Sequence, residues 1–306
     1  MSVIVDAITK RFGEQKALDN VSFTVNAGQV AGFLGPNGAG KSTMMKIITC
    51  FLPQSEGRVT VEGFDVINDP LEVRRKVGYL PEHNPLYLDM YVKEFLAFAG
   101  GIQLPSNQVE ARVKKMIEIT GLGPEQHKKI AALSKGYRQR VGLAQAMIHE
   151  PSVLILDEPT TGLDPNQLVE IRQLIREIGK EKTVILSTHI MQEVEAICDR
   201  AVIINKGKIV ADDETPRLKQ LLGGEESVVV EFDKPADSSK LRALQSVASV
   251  QKISDTSYRI RAKGKEDIRP VLFRFAVDNQ LAVITLQQEK SSLEEVFRQL
   301  TGPVRS

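Results

Sequence analysis

Gly35-Pro36-Asn37-Gly38-Ala39-Gly40-Lys41-Ser42-Thr43 carries the strongest chemical signal in this chain. It matches G-x-x-x-x-G-K-[ST] in full, after the apolar run VAGFL and before the helical stretch MMKIITC. The glycines let the main chain wrap a phosphate with its N–H groups pointing inward. The helix that follows adds partial positive charge at its N-terminus. Lys41 is expected to reach the β and γ phosphates of ATP, and the Ser42 hydroxyl to ligate Mg²⁺. A second signal is Val153-Leu154-Ile155-Leu156-Asp157-Glu158. A buried strand ending in two acids holds them rigidly at the carboxyl edge of a sheet, where ligands sit in open α/β folds. Asp157 is expected to hold Mg²⁺, directly or through water. That leaves Glu158 to orient or deprotonate the attacking water.

Strands and helices must place these groups. Strands are expected at VIVDAIT near residue 3, at 21–25, 29–35, 57–63, 153–156, 183–187 and 201–205. The last three are continuous apolar runs, the pattern of a parallel sheet covered on both faces by helices. A helix is expected over 165–178. Asp164 would cap it, Pro165 fits its first turn, and Leu168, Ile171, Leu174, Ile175 and Ile178 form its apolar stripe. Residues 91–149 read as a helical insert. GGEES at 223–227 reads as a linker, giving domains 1–224 and 225–306. The second restarts as strand 227–232, helix 238–246, strands 249–253 and 257–262, helix 266–278, strand 282–288 and a helix from 291. That order is βαββαβ, a split βαβ arrangement.

The two motifs have company in a fixed order. Leu133-Ser134-Lys135-Gly136-Tyr137-Arg138-Gln139-Arg140 resembles the signature sequence of ABC ATPases. Pro159-Thr160-Thr161-Gly162-Leu163-Asp164 is similar to the family's D-loop, and Ser187-Thr188-His189 to its switch-histidine segment. Phe12, in Lys10-Arg11-Phe12-Gly13, stands where the family stacks an aromatic ring on adenine. Such stacking is worth about 1–3 kcal/mol and tolerates any base. The resemblance covers about residues 1–222. It implies a P-loop NTPase core of the ABC type, with an antiparallel β subdomain, the helical insert and a small C-terminal α+β domain. It implies catalytic roles for Glu158 and His189, the latter through a hydrogen bond to the γ-phosphate. It also adds Phe12, Ser134, Gly136 and Asp164 to the nucleotide-binding residues 35–43. Two copies would close head to tail around two Mg·ATP and push on a separate transmembrane permease through the cleft lined by residues 79–95.

Two motifs depart from the family pattern. Lys135 and Tyr137 replace Gly and Gln in the signature, while Ser134 and Gly136 are kept. Glu82 replaces Gln at the loop joining the two subdomains, where it is either a Mg²⁺ ligand or a hinge. Both departures are familiar in the ATP-binding subunits of ABC-2-type exporters. The tail, Ser292–Thr301, is similar to the C-terminal helix of that branch. Residues 81–89 and 188–198 are also similar to gliding-motility-associated ATP-binding subunits of Bacteroidetes-type bacteria.

Composition narrows the alternatives. With 40 Lys+Arg against 39 Asp+Glu, the chain lacks the cation surplus of a protein that coats nucleic acid. An ABC ATPase acting on DNA or ribosomes would carry long coiled-coil insertions, zinc modules or two motors in one chain, and the sequence has none. No apolar run approaches the roughly 20 residues that cross a bilayer. The first residues lack the features of a secretory signal. The expectation is a cytoplasmic protein, peripheral at the inner face of the membrane. Cys50 and Cys198 are expected to be small buried apolar residues, and His83, His127 and His149 to be surface or capping residues. Residues 228–306 contain no catalytic constellation and read as a dimer-stabilising appendage rather than a small-molecule sensor.

Overall fold

A strand that is apolar on both faces needs cover on both sides. Val153–Asp157 and Thr183–Thr188 are buried at every position, as are Val30–Leu34 and four central residues of Arg200–Asn205. The computed structural model describes residues 2–222, 227–264 and 267–289. Two compact units divide at Thr215 and Pro216.

The first unit opens with β1 (Val3–Phe12), β2 (Gln15–Val25), β3 (Val30–Leu34) and α1 (Lys41–Ile48). It continues with β4 (Glu56–Val61), β5 (Phe64–Asp65), α2 (Pro70–Lys76) and β6 (Val77–Leu80). Then come α3 (Val92–Gln103), α4 (Ser106–Ile119), α5 (Lys135–Met147), β7 (Val153–Asp157) and α6 (Pro165–Gly179). The last elements are β8 (Thr183–Thr188), α7 (Met191–Ile197), β9 (Arg200–Asn205) and β10 (Lys208–Glu214), with α8 (Thr215–Leu222) starting at the division.

Two sheets build this unit. The first is antiparallel, in the order β2-β1-β4-β5. The second runs β10-β9-β3-β8-β7-β6 and is parallel except for its edge strand β10. One core joins Val3, Val5, Phe23, Val59 and Val61 of the first sheet to Phe33, Ile155, Ile185 and Val202 of the second, with Met44, Met45, Ile47 and Ile48 of α1 among them. At about 25 cal/mol per Å², each such side chain contributes roughly 1.5–3 kcal/mol by leaving water. That packing seats α1, and so the loop before it, against the sheet. In α6, Asp164 accepts hydrogen bonds from the N–H groups of Asn166 and Gln167, and Ile171, Ile175 and Ile178 are buried, as expected.

Four details differ from expectation. β1 and β2 extend to Phe12 and back to Gln15. Their polar ends alternate irregularly because Ala7 and Asn20 adopt left-handed backbone at register shifts. The stretch 91–149 holds three helices, with two short 3₁₀ turns between α4 and α5. Cys50 is only half-buried, at φ +58° just after α1. His149 is half-buried rather than on the surface, and its Nε2–H donates to the carbonyl of Val77 at 3.1 Å.

The second unit contains β11 (Ser227–Phe232), α9 (Ser238–Arg242), β12 (Val247–Lys252), β13 (Ser257–Ala262), α10 (Arg269–Asp278) and β14 (Val283–Glu289). Its antiparallel sheet has the order β12-β13-β11-β14, the split βαβ arrangement, packed on Leu241, Leu272 and Phe275 of its helices. α9 stops at Arg242 rather than 246, and α10 starts at Arg269 rather than 266. The expected linker core and the helix from 291 lie outside the described residues.

Candidate functional site

The loop between β3 and α1 is shaped by its glycines. Gly40 has φ +111°, and a Cβ there would lie 2.6 Å from the carbonyl oxygen of Ala17. Only glycine fits both the backbone and the space. A Cβ on Gly35 would lie 2.5 Å from the Ile204 carbonyl oxygen. The turn between β9 and β10 braces the loop from below, with the Gly207 N–H donating to the Ala39 carbonyl at 3.0 Å.

Inside this loop, Lys41 is only 6% exposed. Its ammonium donates to the Gly35 carbonyl at 2.8 Å and lies 3.3 Å from Oε1 of Glu158. Glu158 is equally buried and sits just past the end of β7. Its other oxygen accepts from Nδ1–H of His189 at 2.8 Å and from the Thr161 hydroxyl at 3.4 Å. A charge this deep is tolerated only when it is paired and hydrogen-bonded, and both are. Glu158 has φ +51°, a left-handed conformation that costs a non-glycine residue about 1–3 kcal/mol. That strain turns the chain sharply at the strand end and aims the carboxylate toward the loop. Asp157, one residue earlier, is buried and accepts a hydrogen bond from the Ser187 hydroxyl.

A cavity of about 720 Å³ opens over these groups. Asn37, Gly38, Gly40, Lys41, Ser42, Thr43, Glu82, Glu158 and His189 line it, so most of the expected site residues meet there. An adjoining cavity of about 490 Å³ is lined by Ser42, Glu82 and Asp157, with Tyr79. Burial pushes the Tyr79 hydroxyl well above its ordinary pKa, and the charges of Asp157 and Glu82 push it further. Three oxygen-bearing side chains lining one cavity suit Mg²⁺, which takes few protein ligands alongside substrate phosphates.

Eight expected residues do not line the larger cavity: Gly35, Pro36 and Ala39 belong to the loop itself, Asp157 lines the adjoining cavity, and four stand apart. Phe12 closes the β1–β2 hairpin opposite Gln15, which does line it, and half of its ring is exposed. The Lys10 ammonium lies 5.2 Å from the centre of that ring. Ser134 is the N-cap of α5, its Oγ accepting from the N–H of Tyr137 at 3.3 Å. Gly136 abuts the side chain of Gln167, and Asp164 caps α6.

The structure also adds residues that sequence reasoning missed. Lys16, Thr161, Lys206 and Gly207 line the cavity. Lys206 adopts φ +48° on the β9–β10 turn, a placement that no local motif announces. The Asn205-Lys206-Gly207 turn was the available signal.

Comparison with known proteins follows these lines. Residues 18–161 match the family model described as ABC transporter. Residues 216–301 match the one described as ATP-binding protein DrrA1-3-like, C-terminal domain. A daunorubicin resistance ATP-binding protein of Streptomyces coeruleorubidus is 32% identical over 310 residues, 99% of this chain and 97% of the relative. A Nod factor export ATP-binding protein of Rhizobium meliloti is 33% identical over 304 residues, 99% and 88%. A linearmycin resistance ATP-binding protein of Bacillus subtilis is 31% identical, covering 96% of each chain. Among solved structures, an ATP-binding subunit of an ABC transporter matches at a TM-score of 0.65 with 29% identity, over 73% of this chain and 94% of that one. A dimeric ATP-binding cassette in a post-hydrolysis state, bound to ADP and Pi, matches at 0.63 with 26% identity, over 69% and 98%.

Proposed function

This chain belongs to the ABC transporter family, as an ATP-binding, ATP-hydrolysing subunit of the ABC-2 exporter type, and from that premise we propose how its residues work. Two copies close head to tail around two Mg·ATP and drive a separate transmembrane subunit at the inner face of the membrane. The observation that carries this reading is the Glu158 carboxylate, held between Lys41 and His189 at the mouth of the phosphate loop.

Each side chain has a task. The N–H groups of residues 38–43 and the Lys41 ammonium take up phosphate charge, and Phe12 offers its free ring face to the base. Glu158 accepts the proton of the attacking water. His189 donates to the γ-phosphate. Mg²⁺, held by Ser42, Asp157 and Glu82, would neutralise charge on the phosphates. Catalysis of this kind is positioning and charge stabilisation rather than covalent chemistry. Ser134 and Gly136 serve the partner copy's nucleotide, because they stand apart from the cavity of their own chain. The related cassette with ADP and Pi bound is dimeric, which supports a site built from two copies.

Phe51, Tyr87, Tyr91 and Phe98 are exposed, and the rings of Tyr87 and Phe98 lie 5.7 Å apart; we place the transmembrane partner at the 79–95 cleft. No described helix is long and apolar enough to cross a membrane. For the cellular setting we propose gliding motility, on the likeness of residues 81–89 and 188–198. Normal spreading by a deletion strain of a gliding host would overturn that setting.

Mixing two inactive variants tests the shared site. Lys41→Ala and Ser134→Arg each spoil both sites of a homodimer. In a mixed dimer both lesions fall in one site and the other is intact. The mixture should recover ATP-dependent dimerisation, read by light scattering. No recovery would mean that Ser134 serves its own chain.

A further inference from the structure

Glu193 is 0% exposed, in the first turn of α7, and the sequence motifs assign it nothing. Its two carboxylate oxygens go to different segments. Oε1 accepts from the hydroxyl of Thr160, two residues after Glu158. Oε2 accepts from the hydroxyl of Thr188 at 2.6 Å, one residue before His189. Thr188 Oγ also accepts the N–H of Ile190 at 3.1 Å, which directs its own proton to Glu193. Both threonines are buried. Among the described residues, no ion pair to Glu193 is formed.

A carboxylate fully removed from water is costly unless hydrogen bonds replace its hydration. An apolar side chain would fill that space at no such cost. Charge-assisted hydroxyl bonds are short and directional, so what the carboxylate supplies is geometry. We infer that Glu193 is a positioning residue: its carboxylate clamps the turn after β7, which carries Glu158, to the end of β8, which carries His189. The clamp sets the 2.8 Å approach of the Glu158 and His189 side chains. The inference rests on the roles given above to Glu158 and His189.

The test uses Glu193→Gln in the full chain. The amide has one accepting oxygen, so one of the two threonine hydroxyls loses its acceptor while the shape is kept. Single-turnover ATP hydrolysis at saturating Mg·ATP should slow about tenfold, the loss expected for one charge-assisted hydrogen bond. The apparent affinity for ATP should stay within about twofold, since no binding group moves. In a His189→Ala background, Glu193→Gln should cost less than about twofold, because the partner it positions is gone. A second pair guards against a folding defect. Thr160→Ser should hydrolyse like the wild type, and Thr160→Val should lose about as much as Glu193→Gln. An undiminished tenfold loss in the His189→Ala background would overturn the positioning role, as would Thr160→Val at the wild-type rate. An inactive wild-type chain would instead overturn the roles of Glu158 and His189 themselves.

Discussion

The two units of this chain treat buried charge in opposite ways. Among the described residues, every buried polar or charged side chain lies between Ser2 and Thr215. Lys41, Asp65, Asp157, Glu158 and Glu193 are all there. The interior of the second unit is apolar, and its one buried tyrosine, Tyr258, sends its hydroxyl out to the carbonyls of Ala236 and Asp255. Both units are stable sandwiches of sheet and helix, so folding alone does not require the buried charges. Apart from Asp65, which holds Arg58 and the turn after β5, they gather around the carboxyl ends of β7 and β8 and at the phosphate loop, where chemistry can use them. The contrast predicts that damage in the first unit is read as lost activity, and damage in the second as lost stability.

The largest effect should come from Lys41→Ala. It removes the cation that faces the phosphates and leaves Glu158 buried beside His189 alone. Hydrolysis should fall by at least about 10²–10³-fold, with weakened ATP binding. Wild-type hydrolysis in this variant would break the site assignment. Glu158→Gln should slow hydrolysis by about 10²–10⁴-fold, the range for loss of a general base. Binding should be no weaker than in the wild type, because Lys41 no longer has a carboxylate competing for it. Closed dimers should accumulate with Mg·ATP on size-exclusion chromatography. A variant that stays monomeric would contradict the proposed role.

In the second unit, Phe232→Ala empties a fully buried site between Tyr258 and Phe275, with ring centres at 6.0 and 6.2 Å. The loss should be about 3–5 kcal/mol, lowering that unit's melting by more than about 10 °C. ATP binding and the hydrolysis rate per folded motor should not change. We propose that residues 225–306 are a separable domain, so a chain shortened to residues 1–224 should fold and bind ATP. Circular dichroism showing an unfolded product would refute this.

The smallest effect concerns pH. Burial holds the His149 pKa below its usual value, against the pull of its bond to Val77. The unfolded chain therefore binds a proton more readily than the folded one, and stability rises with pH. The contribution is complete above about pH 6.5 and is lost as the pH falls below it. His149→Gln should flatten the decline in melting temperature between pH 7 and pH 5. An unchanged profile would remove His149 from the acid response.

What the sequence revealed followed from local pattern. The phosphate loop, the strand ending in Asp157 and Glu158, and the capped helix after Asp164 each carry their signal within a dozen or so neighbouring residues. What it hid depends on chain reversals and distant pairings. Glu158 was visible as an acid but not as a strained one, since φ is set by its bonds to β8. Lys206 enters the cavity because the β9–β10 turn is bonded to Ala39, far away in sequence. Glu193 reads as one more polar residue on a short helix until Thr160 and Thr188 are placed beside it. The polar half of β2, QKALDN, resembles a loop because its bulge breaks the alternation that marks a strand.

The contact between Lys41 and Glu158 has a consequence for the order of events. The two charges lie 3.3 Å apart, so each offsets the other while the pair persists. Under the roles proposed above, a triphosphate entering the loop would draw the ammonium to itself, and only then would the carboxylate be free to take a proton. The base would thus be armed by its own substrate. Such an interlock discourages stray proton transfer before the phosphates are seated, and it makes arrival of cargo fuel and readiness for cleavage a single transition.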